Sequence, residues 1–88
     1  MGALTDWRDI KYSEIFEGEM RGLRRRRESD SGCTVADLEG TLAHLYIMEG
    51  ADWGGRGELQ SITLGATIAA YERVIAEWKA ENADTGKA

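Results

Sequence analysis

Between residues 58 and 81 the apolar side chains fall on two separate lines of a helix. Leu64, Ile68, Tyr71, Ile75 and Trp78 form one, and Leu59, Ile62, Ala66 and Ala69 form another on a different face. Residues three or four apart share one side of an α-helix, so a single stripe serves a single neighbour. Two stripes ask for two neighbours. A chain built around such a segment has to be a helical assembly, and the rest of the sequence agrees. It contains no proline, and its apolar residues recur at helical rather than alternating spacing. No β-branched run is bracketed by hairpin turns.

Two further helices precede this one. The first is expected over about residues 5–27, with Tyr12, Ile15, Phe16, Met20 and Leu23 on one face and Leu4 and Trp7 leading in. Gly18 and Gly22 stand inside it, each costing about 1 kcal/mol against alanine. They mark either a close helix approach or a bend. Ser29, Asp30, Ser31 and Gly32 read as a turn. The second helix, about residues 35–49, has a strong start: Thr34 as N-cap, Asp37 reaching back as a capping box, and Cys33 with Leu38 as a hydrophobic staple. Val35, Leu38, Leu42 and Leu45 supply its stripe, and Gly50 is expected as a left-handed C-cap. Residues 50–57 hold four glycines and form the next loop. The third helix ends near residue 81, leaving 82–88 as a frayed polar tail.

Length and charge narrow the classes. With 88 residues the chain makes one domain. A domain of this size buries only roughly 60–65% of its unfolded surface and is marginal alone. Cys33 is the only cysteine, so no internal disulfide can help, and a lone thiol suits a reducing compartment. No apolar run reaches the ~18–20 residues of a membrane span, and the first residues lack a secretory layout. Asp6 stands where a myristoylation motif needs Ser or Thr. A soluble, cytoplasmic protein is expected. The net charge of −5 disfavours general nucleic-acid binding, although residues 1–31 are balanced at seven basic and seven acidic side chains.

The polar features each have a functional and a structural reading. Arg24, Arg25, Arg26 and Arg27, preceded by Arg21, could meet phosphates or an acidic partner. Four consecutive helical residues circle the axis, however, and cations at a helix end offset its dipole. The second account is preferred. Gly54, Gly55, Arg56 and Gly57 before a helix could cradle an anion. They lack the Lys-Ser/Thr of a P-loop, and Glu49, Asp52 and Glu58 would repel the anion, so a wide turn with Arg56 paired to a carboxylate is preferred. His44 has no carboxylate within reach, since Asp37 lies roughly 10 Å along the axis. Thr41 stands where a Glu-x-x-His metal pair would need glutamate. Cys33 has neither a second thiol nor a nearby histidine and is read as packing. Glu14 with Glu17, and Glu77 with Glu81, read as solvated helix faces. No residue is assigned to catalysis, to a cofactor or to a metal, and no stretch carries a family signature.

The fold expected is all-α. Helices 2 and 3 form an antiparallel hairpin, the first helix packs on it, and a second copy completes a dimeric bundle. The dimer follows from a mismatch in length. About 16 residues span about 24 Å, against about 36 Å for the 24 of the third helix. The stripe Leu64, Ile68, Tyr71, Ile75 and Trp78 therefore outruns its hairpin partner. The first helix, with two glycines and a ring of arginines, looks a poor lid. A non-enzymatic homodimer that presents a helical surface to another protein is the leading function. The alternative is a small nucleic-acid-associated regulator using Arg21 and the four arginines that follow. An enzyme, with only Cys33 or His44 to offer, comes third.

Overall fold

The computed structural model describes residues 6–51 and 57–87, the last four by their backbone alone. Three α-helices make up the described chain: α1 (Trp7–Ser29), α2 (Val35–Gly50) and α3 (Glu58–Lys87). The expected lead-in residues Leu4 and Thr5 lie outside the described residues, as do Asp52, Trp53 and the glycine–arginine loop through Arg56.

Each helix start is set by a short polar side chain. Asp6 caps α1, its carboxylate accepting the Arg8 backbone N–H at 3.1 Å. Thr34 caps α2 in a reciprocal box. The Asp37 N–H donates to Thr34 Oγ1 at 3.2 Å, and the Thr34 N–H donates to Asp37 Oδ2 at 3.0 Å. Two of the four donors left over at that helix start are thereby satisfied. Cys33 and Leu38 bracket the cap and are both buried, as a staple requires.

The exits depart from expectation. Gly50 is helical, and α2 leaves through extended Ala51 (φ −72°, ψ 137°), whose N–H reaches the Ile47 and Met48 carbonyls at 3.1 and 3.3 Å. That shared bond serves two terminal carbonyls, so no left-handed residue is needed. α3 continues through residues 82–87, where a frayed tail was expected. Extending an existing helix costs far less than starting one, and Ala83 is a good helix former. Gly18 and Gly22 neither break α1 nor admit a neighbour. A Cβ added at Gly22 would meet nothing within 4 Å, and at Gly18 only the Arg21 side chain at 4.0 Å.

α3 is the element on which the other two rest. Both α1 and α2 pack on it, while no Cα pair between α1 and α2 comes within 8 Å. Ion pairs trace the arrangement. Arg8 meets Glu58, Arg24 meets Glu77 and Arg27 meets Glu81, so the partners of α1 advance along α3. Along α2 the order reverses: Glu39 takes Lys79, and Tyr46, further on, takes Glu72.

The main buried cluster gathers at one end. It comprises Met20 and Leu23 from α1, Cys33, Leu38 from α2, and Ala70, Val74 and Ile75 from α3, with Phe16, Val35, Leu42, Tyr71 and Trp78 packed against it. Ala66, Ala70 and Val74, four residues apart, are almost wholly buried. Ala66 falls on the second stripe identified from apolar spacing, but Ala70 and Val74 belong to neither. Alanine contributes little hydrophobic contrast, which is why the line escapes a search for large apolar side chains.

Candidate functional site

The stripe proposed to meet a second copy is largely used within the chain. Ile68 and Ile75 are each 6% exposed, and Tyr71 and Trp78 pack on the cluster. Burial pushes the Tyr71 phenol above its ordinary pKa. α1 is the lid that the sequence reading discounted. It covers α3 because its arginines face carboxylates there. Arg24 Nη2 lies 3.0 and 3.1 Å from the two oxygens of Glu77, and Arg27 Nη2 lies 2.5 Å from Glu81 Oε1. Arg27 also sits over the Trp78 ring, 4.5 Å from its centroid.

These pairs revise two readings. Glu77 and Glu81 are not merely solvated faces; hydrogen bonds from Arg24 and Arg27 hold their carboxyls below the ordinary range. Nor do the four arginines act only on the dipole of α1. Arg26 and Arg27 do occupy its last turn, but Arg24 and Arg27 cross to α3. The cleft here is lined by Arg24, Arg27, Glu28, Val74, Glu77 and Glu81. Arg24 and Arg27 are engaged by Glu77 and Glu81 there, and Arg73 also pairs with Glu77, so the guanidiniums of the cleft are already matched by carboxylates. Arg21, Arg25 and Arg26 remain exposed on α1.

Other candidates gain no chemistry. His44 is exposed on α2, and Cys33 is buried in the packed cluster. Among the described residues, no group of three or more His, Cys, Asp or Glu side chains could hold a metal ion. No described helix is long and apolar enough to cross a membrane. Arg56 lies outside the described residues.

What the sequence reading missed is at the other end of the molecule. Among the described residues, the exposed large apolar side chains are Trp7, Ile10 and Tyr12 near the start of α1, Tyr46 and Ile47 near the end of α2, and Leu59 in the first turn of α3. The Arg8–Glu58 ion pair and Tyr12, beside Gly65, bring the start of α1 to the start of α3. Leu45 and Met48 of α2 share a groove with Leu59 and Leu64 of α3, which places the end of α2 there too. One end of the bundle is packed and the opposite end wears apolar surface.

At this end α2 and α3 line a groove of about 390 Å³. Leu45 and Met48 form its α2 wall; Leu59 and Leu64, with Gln60, Thr63 and Thr67, form its α3 side. No residue of α1 lines it. Its size falls within the range of ligand sites, roughly 300–1,000 Å³, but it lacks the convergent charged or titratable groups that chemistry would require. It offers shape and apolar surface alone.

Comparison with known proteins finds no matching family model, no matching curated protein and no matching solved structure.

Proposed function

We propose that this chain is a non-enzymatic helical interaction module that works as a homodimer, with α2 and α3 as the arms of an antiparallel hairpin and α1 as its brace. One observation carries the reading: among the described residues, large apolar side chains stay exposed at the start of α1 (Trp7, Ile10) and in the first turn of α3 (Leu59), ends that the Arg8–Glu58 ion pair holds together. Scattered apolar residues are ordinary on any surface, but a shared apolar end marks a place of association. Small size adds a reason for a second copy, because so short a chain buries little surface alone. Twofold pairs are the commonest assembly. The nucleic-acid alternative loses support from the turning of Arg24 and Arg27 onto Glu77 and Glu81.

Sedimentation equilibrium tests the reading. Twice the 9.7 kDa chain mass at tens of micromolar is expected, with a melting temperature that rises with protein concentration. A single-chain mass with a concentration-independent melting temperature would overturn it. For the alternative, duplex DNA anisotropy in ~150 mM salt should show no binding tighter than about 100 μM, the weaker edge of ordinary non-specific affinity.

A further inference from the structure

We infer that the outward face of α1 seats the same face of a second copy, running antiparallel across a twofold axis. The inference rests on the homodimer reading above and says where that dimer closes.

Spacing supplies the first argument. Trp7, Ile10, Glu14, Glu17 and Arg21 recur three or four residues apart, with Arg25 one turn further on, so they line one side of α1. All six are exposed, while Phe16, Met20 and Leu23 carry the side packed on α3. Among the described helices α1 meets only α3, so this second face has no neighbour within the chain.

Charge supplies the second argument. Along this face the signs are sorted: Glu14 and Glu17 come first, Arg21 and Arg25 after them. Like charges three or four apart on a helix repel, so each block is a small cost to the isolated chain. The helix dipole does not account for the order. It acts on the first and last turns, and these four residues lie between them. Partners within the chain do not account for it either. Arg8, Arg24 and Arg27 all cross to carboxylates of α3. Of the four sorted charges only Glu14 has an ion pair among the described residues, with Lys11 at 3.3 Å.

The order chooses the occupant. A face that runs acidic then basic is complementary to itself reversed, which is the geometry of an isologous contact. Glu17 then meets the partner's Arg21, Glu14 meets the partner's Arg25, and the twofold axis repeats both. A nucleic acid or a uniformly acidic peptide would gain the arginines and be repelled by the glutamates. Complementary charges fix orientation more than affinity, so apolar area is needed as well. Trp7 and Ile10, 51% and 50% exposed, begin the same stripe. Antiparallel pairing lays them over the C-terminal end of the partner's α1, beside its turn, at both ends of the seam.

Area sets the extent. A stable dimer hides roughly 800 Å² per partner, out of the 5990 Å² this chain exposes. The seam therefore takes the full length of α1, about 34 Å, and not its charged middle alone.

The test uses the full chain and two paired charge reversals at exposed positions, each checked for helicity by circular dichroism. Glu14→Arg with Glu17→Arg makes the face wholly basic, and Arg21→Glu with Arg25→Glu makes it wholly acidic. Each variant alone is expected to raise the dimer dissociation constant at least about tenfold in sedimentation equilibrium. Mixed in equal amounts, the two are expected to form a mixed dimer about as tight as the wild-type one. Should a double reversal unfold the helix, the single changes Glu17→Arg and Arg21→Glu give the same comparison. The wild-type dimer is expected to weaken as salt rises. If the wild-type chain is dimeric but both reversals leave its mass unchanged, the seat is elsewhere and only the face assignment fails. If each reversal dissociates the dimer and the mixture stays monomeric, the antiparallel pairing is wrong. If the wild-type chain is monomeric, both readings fall together.

Discussion

Arg27 joins α1 to α3 by two contacts at once: its guanidinium carbon lies 4.5 Å from the Trp78 ring centroid, and its Nη2 lies 2.5 Å from Glu81 Oε1. A cation over an aromatic face gains more when water is kept from it, and the Arg27 side chain is only 26% exposed. Trp78→Ala should lower the melting temperature more than Arg27→Ala, since it also removes packing from the core. The double variant should lose less than the sum of the two. Strict additivity in thermal melts would show that the two residues do not work together.

Ile75 separates a core residue from an interface residue. It belongs to the stripe first read as a dimer face, yet it is 6% exposed within one chain. Ile75→Asp would bury an unpaired carboxylate and should cost at least about 3 kcal/mol. Loss of the far-ultraviolet helical signal is the expected result. A folded monomer from this variant would return the stripe to the surface.

Gly22 offers a stabilising substitution. It lies inside α1, and an added Cβ meets nothing within 4 Å. Gly22→Ala should raise stability by about 0.5–1 kcal/mol by reducing the freedom of the unfolded chain. Urea denaturation would measure this, and a loss of stability would mean that the position has a neighbour.

The capping box at α2 is open to a direct check. Thr34→Ala removes the acceptor for the Asp37 N–H and should cost about 1 kcal/mol. Leu38→Ala, at a fully buried position, should cost more, about 2–5 kcal/mol. The reverse ranking in urea melts would show that the staple is not the stronger anchor.

Acid should loosen the clasp between α1 and α3. Hydrogen bonds from Arg24 and Arg27 hold the Glu77 and Glu81 carboxyls below their ordinary value of 4.5. Groups with depressed folded-state pKa values contribute stability above the unfolded value and lose it as pH falls through the folded one. The melting temperature should therefore decline below about pH 4.5, and Glu77→Gln with Glu81→Gln should flatten that decline. The Glu81 side chain is 61% exposed and that of Glu77 32%, so solvent screens both pairs and the effect is small and weaker in high salt. An unchanged slope in the double variant would assign the acid sensitivity to other carboxylates.

The features legible in the sequence were local ones. Thr34, Asp37, Cys33 and Leu38 lie within six residues, and their capping chemistry needs nothing from elsewhere in the chain. The clasp was hidden because Arg24 and Glu77 are 53 residues apart, so neither carries a sign of the other. Arginines read as a poor lid prove a good one, since long stems lie over apolar surface while the charged heads reach carboxylates. The buried line Ala66, Ala70 and Val74 was legible in spacing but not in size. The groove was illegible because Thr63, Gln60 and Thr67 read as ordinary polar helix positions. Only the packing of α2 beside α3 gives them a shared concavity with Leu45 and Met48.

The lopsided packing has a consequence for how the molecule breathes. Local opening is easiest where few buried contacts must be broken. Amide hydrogens of Ala70, Val74 and Ile75 sit in the packed end and should exchange slowly with solvent deuterium, while those near Ser61 to Leu64 exchange fast, within one unbroken helix. α3 thus carries a gradient of protection along its length, anchored at the end where α1 and α2 grip it. Occupation of the open end would level that gradient from the fast side, so association would be recorded in the exchange rates of a helix whose shape does not change.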